Sequence, residues 1–167
     1  AIAYGHFKGS GSAVPQYASV GFSPSRAVYK QYANTLLNAG DEQFTVTSVH
    51  PSSSANLEQF YAINFQRTRM KEKIDPGNWE LHLKKGSHVL RFIDDSGATT
   101  NPEVNQGGRV FNIVSGSIAS GTAVTKTAAA SQEGGGYGLF YPDLGILVFN
   151  GPVLNTSASL GHLSLIH

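Results

Sequence analysis

Apolar and polar positions along this chain change period once, near residue 40. Before that point Val28, Tyr32 and Leu36 recur at four-residue steps with Tyr29, Ala33 and Leu37 beside them, which lays a single apolar stripe along a helix. Ser23 stands in the N-cap position and Pro24 in the first helical position, where its missing N–H costs nothing. Gly40 suits the left-handed residue that closes a helix. The spacing predicts one main amphipathic helix over 24–39. After it the period falls to two. "FTVTSV" (44–49) alternates and is rich in β-branched residues, and "FYAINFQRTR" (60–69) sets Tyr61, Ile63 and Phe65 against Ala62, Asn64, Gln66 and Thr68. Further strands are expected at "WELHL" (79–83), "HVLRFI" (88–93), "RVFNIVSG" (109–116), "YGLFY" (137–141) and "GILVFN" (145–150). The separators "HPSSSANLEQ", "KKGS", "DDSGATTNPEVNQGG" and "YPDLG" carry turn chemistry.

The elements add up to a mainly β (α+β) chain: an antiparallel sheet or sandwich with one helix packed on it. Residues 1–22 are Gly/Ser-rich and read as an extended arm, 23–167 as one β-rich domain, and 122–136 as an exposed excursion of low bulk. The expected core contains Tyr61, Ile63, Phe65, Trp79, Leu81, Ile93, Phe111, Ile113, Leu147 and Phe149.

The stretch "RTRMKEKIDPGNWELHL" (67–83) concentrates Arg67, Arg69, Lys71, Glu72 and Lys73 ahead of a Pro-Gly pair and the single tryptophan. Pro76 presets the first central position of a type II turn and Gly77 accepts the positive φ of the second. Trp79 then enters the returning strand with Leu81 and Leu83 on its side and Glu80 and His82 on the other. The charged part continues the preceding strand or forms one helical turn, facing water or a partner subunit. A basic row of Arg67, Arg69, Lys71 and Lys73 on a strand face, with Tyr61 and Phe65 nearby, is the arrangement nucleic acid would use. Glu72 and Asp75 interrupt it, and the formal net charge of +1 lacks the electrostatic footprint of such proteins.

Composition narrows the chemistry further. The 167 residues contain no cysteine, which removes disulfides, thiolate catalysis and iron–sulfur ligation from this chain. Only 14% are charged, against roughly 25% in ordinary soluble domains, and glycine reaches 19 residues. The most apolar run, "LGILVFNGPVL" (144–154), is interrupted by Gly-Pro and falls short of the ~20 residues of a membrane helix, so no membrane partner is expected. The start "AIAYGHFKGSGS" has neither an initiator Met nor a basic end followed by an apolar block. A segment cut or processed from something longer is the expectation. Both "AIAYGHF" and the closing "LGHLSLIH" alternate enough to add a strand to a neighbouring subunit or to complete this chain's own sheet.

Motifs with catalytic or ligating meaning are few. His6, His50, His82, His88, His162 and His167 show no spacing that puts two ligands on one element; His82 and His88 flank a hairpin turn but lack a third ligand. Asp94 and Asp95 are adjacent, so on a strand they point to opposite faces, and no calcium-loop spacing follows. The glycines of "QEGGGYGLF" and "GHFKGSGS" lack the Gly-Lys-Ser/Thr ending of a phosphate loop, and "SGSIASG" is not a nucleophile elbow. Catalytic, cofactor and metal residues are therefore not assigned, and no cofactor or small-molecule substrate is expected.

Six blocks in order, "AIAYGHFKGSGS", "VYKQYANTLL", "YAINFQRTRMKEKIDPGNWELHL", "FIDDSGATTNP", "GGRVFNIVSGS" and "YGLFYPDLGILVFN", resemble the VrlC-like virion structural protein of marine contractile-tailed cyanophages. The resemblance spans nearly the whole chain, with its strongest pieces in the Asp-Pro-Gly-Asn-Trp and Tyr-Pro-Asp-Leu-Gly-Ile blocks. It implies a non-enzymatic tail or baseplate subunit, assembled in a bacterial cytoplasm and carried in the virion. Its implied partners are other virion proteins and further copies of itself. It implies no catalytic residues. Two other classes stay open: a host-surface or carbohydrate-binding module with aromatic platforms at Tyr137 and Tyr141, and a tail-associated hydrolase, which needs an acid pair facing one cleft.

Overall fold

The computed structural model describes residues 1–9, 23–47, 54–97, 101–120 and 136–157. Its centre is an antiparallel sheet curled into a half-barrel. In chain order the strands are β1 (Ile2–His6), β4 (Gln59–Asn64), β5 (Leu81–Lys85), β6 (His88–Asp94), β7 (Glu103–Asn105), β8 (Gly108–Ser115), β9 (Gly138–Tyr141) and β10 (Ile146–Asn150). Their spatial order is β1-β4-β10-β9-β8-β6-β5, with β7 a short flap on β8. A separate ribbon pairs β2 (Thr45–Thr47) with β3 (Ser54–Asn56). The helices are α1 (Pro24–Leu36), α2 (Arg67–Met70) and α3 (Gly151–Ser157). The fold is mainly β with one main helix, as the periodicity predicts.

Both faces of the sheet are covered, so the central strands are apolar on both sides. Along β10, Val148 lies on the α1 side, while Leu147 and Phe149 lie on the other. The α1 side is an aromatic cluster. Tyr29 and Phe60 are fully buried with ring centroids 5.2 Å apart, and Phe44 meets both rings edge-on. The Tyr29 hydroxyl donates to the Leu57 carbonyl at 2.6 Å and accepts from the Phe44 amide at 3.1 Å, so one side chain ties α1 to the β2–β3 ribbon. Burial, opposed in part by the Phe44 amide, pushes its pKa up to about 12. Gly5 of β1 is open enough for the Phe60 ring to lie across it; a Cβ there would stand 2.5 Å from the ring tip. The other face gathers Phe92, Phe111, Ile113, Phe140, Leu147 and Phe149 beneath Trp79 and α3.

Several boundaries differ from the sequence reading. The helix ends at Leu36, because Leu37 turns extended and buries its side chain (7% exposed) in the core. Gly40 does take positive φ, but in the turn closed by the Asp41 amide on the Asn38 carbonyl. Ser23 begins the helix in extended geometry, yet its hydroxyl donates to the Gly9 carbonyl at 2.7 Å and does not cap the helix. The 60–69 strand stops at Asn64. Its more buried face is Phe60 and Ala62, whereas Tyr61 and Ile63 are half-buried and Phe65 is 40% exposed. Ile93, Phe111, Ile113, Leu147 and Phe149 are buried as expected; Trp79 and Leu81 are half-buried, and β5 begins two residues after Trp79. The arm at 1–22 is a strand over its first residues: β1 pairs in register with β4, Ile2 opposite Ile63 and His6 opposite Gln59. Residues 10–22, 48–49, most of 122–136 and the "LGHLSLIH" tail lie outside the described residues.

Candidate functional site

The charged block is a strap across the β9–β10 turn. Phe65 donates its amide to the Gly145 carbonyl and Ile74 to the Pro142 carbonyl, each at 3.0 Å. Met70 fills the space over Gly145, where any Cβ would collide with its sulfur. Because residues 67–70 are helical and Lys71 takes φ of 58°, Arg67, Arg69, Lys71 and Lys73 do not form a row on a strand face; all four are exposed. The expected turn is present. Gly77 has φ of 82°, and the Asn78 amide reaches the Asp75 carbonyl at 3.2 Å. Trp79 then settles on Phe140 with ring centroids 5.0 Å apart.

Asp94 and Asp95 are buried, at 4% and 1% exposure. Asp94 accepts from the amides of Gly77 at 2.8 Å and Ser96 at 2.9 Å, which locks the strap's turn onto the end of β6. Asp95 accepts from the amide and the side-chain NH2 of Asn112 at 2.9 and 2.8 Å. All four carboxylate oxygens thus accept from N–H donors of the scaffold, Asp94 from the strap's turn and the exit of β6, Asp95 from β8. Both act as buried acceptors that satisfy backbone and side-chain N–H groups.

His82 pairs across the β5–β6 hairpin with Arg91, and His88 with Lys85, so the two histidines are offset along the ladder. His82 contacts Glu80, whose other oxygen accepts from the Ser117 hydroxyl and the Ile118 amide at 3.0 Å. The His82 contact leads the forces that hold the Glu80 carboxyl below its usual value. The arrangement places the Glu80 carboxylate between the Ser117 hydroxyl and the His82 ring, one oxygen to each. Among the described residues no three of His, Asp and Glu gather as a metal site, and no helix is long and apolar enough to cross a membrane. Tyr137 and Tyr141, offered as aromatic platforms, are buried at 5% and 0% exposure. Tyr137 packs edge-on against Phe92 inside the core, and the platform reading fails.

The arrangement with most chemical content lies elsewhere, on the α1 side. A bowl of about 280 Å3 opens between the exit of α1, the β2 strand and the β7–β8 hairpin. Buried Leu37, Val110 and Leu139 line its floor, and Asp41, Gln43, Thr45, Glu103 and Asn105 line its polar wall. Tyr141 completes the lining. Close backbone approach builds this site. The Gly107 amide donates to the Leu36 carbonyl at 3.1 Å, and a Cβ at Gly107 would sit 2.9 Å from the Tyr141 ring and 3.1 Å from the Leu36 Cα. Glycine there lets the β7–β8 hairpin dock on the helix end and carry Glu103 and Asn105 to the rim. On the other side of the hairpin the Asp143 carboxylate accepts from the Arg109 amide at 3.1 Å and its guanidinium at 3.2 Å. Partial burial raises the Asp143 pKa, but the Arg109 contacts and the charge of Lys73 outweigh it, and the net direction is down.

The Tyr141 hydroxyl is wholly buried and makes no hydrogen bond of good geometry within the described residues. Burial raises its pKa, a contact from the Asn105 side chain opposes this, and the Glu103 charge adds to the rise. The phenol is therefore a protonated donor at neutral pH. Sequence reading missed the bowl because its residues come from turns and from a three-residue strand. The one signal present was Asp41, Gln43 and Thr45 at steps of two, opposite the buried Phe44 and Val46.

No protein-family model matches this chain, and neither the curated proteins nor the solved structures contain a significant match to it.

Proposed function

We propose that this chain is an architectural subunit of a tailed-bacteriophage virion, in the tail or baseplate region, held by other virion proteins and further copies of itself. The order and wording of the sequence blocks suggest the reading. The structural observation that carries it is a sheet whose two ends, β1 and β5, have a single strand neighbour each among the described residues, with large apolar side chains displayed on the edges and the flap. Ile2 on β1 is 61% exposed, Val89 beside the β5 edge 46% and Val104 on β7 67%. Strand ends of this kind accept a further strand from a neighbour, with backbone hydrogen bonds supplying affinity and the apolar side chains supplying fit. The buried carboxylates of Asp94 and Asp95 are committed to holding the scaffold together, as a building block requires.

The test is mass spectrometry of purified particles from the phage that encodes the chain, followed by cryo-EM reconstruction. The expected result is repeated, symmetric copies with β1 or β5 against another subunit. Particles that lack the chain would sink the proposal, as would copies confined to an exposed distal tip with both sheet ends facing solvent.

A further inference from the structure

We propose that the bowl between α1, β2 and the β7–β8 hairpin is a binding site for a neutral sugar ring. The inference is independent of the virion reading and revises the expectation that the chain takes no small molecule. Size comes first. At about 280 Å3 the cavity lies just under the usual ~300–1,000 Å3 of ligand pockets, which suits one ring and excludes a large cofactor. The lining then selects the chemistry. Leu37, Val110 and Leu139 offer an apolar floor to the C–H face of a ring. Asp41 and Glu103 offer acceptors, and the Gln43 and Asn105 amides offer both donors and acceptors. Sugar hydroxyls are the common groups that donate and accept at once, so one ligand satisfies both kinds of wall.

The buried Tyr141 hydroxyl is the observation that points to a ligand. The buried phenol oxygen meets the Asn105 side chain, but its proton finds no acceptor among the described residues, and an arriving acceptor oxygen supplies one. Other ligand classes fit less well. An anion meets Asp41 and Glu103 at the rim. A bare cation neither accepts the phenol proton nor uses the apolar floor. Thr45 is already engaged, donating to the Asn56 side-chain oxygen at 3.1 Å, and so shapes the wall without adding a donor.

The experiment is an NMR titration of the 15N-labelled full chain with D-glucose, D-mannose and N-acetylglucosamine, each to about 50 mM, well above a millimolar Kd. The expected result is saturable shifts for at least one sugar at the amides of 41–45, 103–110 and 139–141. Tyr141→Phe removes only the hydroxyl. It should weaken binding about tenfold while leaving Tm unchanged or higher, since the buried donor disappears with it. Glu103→Gln, at an exposed position, should weaken binding with the fold intact. Absence of saturable shifts with all three sugars overturns the inference. So does undiminished binding by Tyr141→Phe, and so does reproduction of the same shifts by calcium chloride alone, which would make the bowl a cation site.

Discussion

On one side of the sheet a helix of 13 residues closes the core, its stripe of Tyr29, Ala33 and Leu36 buried against Phe60. On the other side the strap from Phe65 to Trp79 crosses the β9–β10 turn with four helical residues, a Pro-Gly turn and a tryptophan. The first closure is apolar area with one bridging tyrosine. The second depends on individual donors reaching particular acceptors: Phe65 and Ile74 to carbonyls, Gly77 to the buried Asp94. Regular elements bury surface efficiently, whereas an irregular crossing must find a partner for each backbone group separately.

Breaking each closure measures that difference. Phe60→Ala empties the centre of the aromatic cluster and should cost about 3–5 kcal/mol, read as a lowered denaturant midpoint at unchanged m-value. Asp94→Ala leaves the amides of Gly77 and Ser96 without their acceptor and should cost about 2–3 kcal/mol. Equal losses for the two variants would mean that the strap contributes as much as the helix face, against the view above. Gly77→Ala forces an L side chain into positive φ with its Cβ 3.1 Å from the Ser96 hydroxyl; the expected loss is about 1–2 kcal/mol. A local effect should appear as faster hydrogen exchange at 74–79 with α1 protection unchanged.

The smallest effect is electrostatic. The Asp143 pKa is lower in the folded chain than its ordinary value of 3.8. Its contribution is thus present above that value and is lost as pH falls through the lowered one. Because the pair with Arg109 is about a third exposed, solvent screens it, and the change should stay below about 1 kcal/mol. Asp143→Asn should flatten this part of the acid limb of a stability-versus-pH curve; a curve identical to that of the parent protein would assign the acid sensitivity to other carboxylates.

Legibility from sequence followed the same division. The start of α1 and the positions of β6, β8, β9 and β10 were visible, because period and turn residues agreed with each other over five or more positions. The type II turn at Pro76–Gly77 was visible for its own chemistry. What failed was whatever had no period. Glu103–Asn105 lay in a segment that reads as a separator, yet it forms β7 and carries two residues of the bowl. Gly151–Ser157 reads as an interruption of an apolar run, although Pro152 in the first turn of a helix is well tolerated there. The burial of Asp94 and Asp95 was illegible for a different reason: their acceptors serve Gly77 and Asn112, each 17 residues away, and only the folded register brings them together. The same holds for Tyr141, whose place in the bowl depends on the close approach at Gly107.

The strand order has a consequence for how the chain is made. β9 and β10 come last among the described strands and lie in the middle of the sheet, between β4 on one side and β8 on the other. During synthesis the β5–β6–β8 meander can pair between near neighbours, whereas β1 must wait for the distant β4, with Ile2 opposite Ile63, and the two groups have no common border until Asn150 has left the ribosome. Until then the inner edges of β4 and β8 are open and apolar, the condition in which partly made β proteins associate with one another. The closing step is insertion of a single hairpin, held by the four-residue Pro142–Gly145 turn and clamped to β8 by the Asp143–Arg109 contacts.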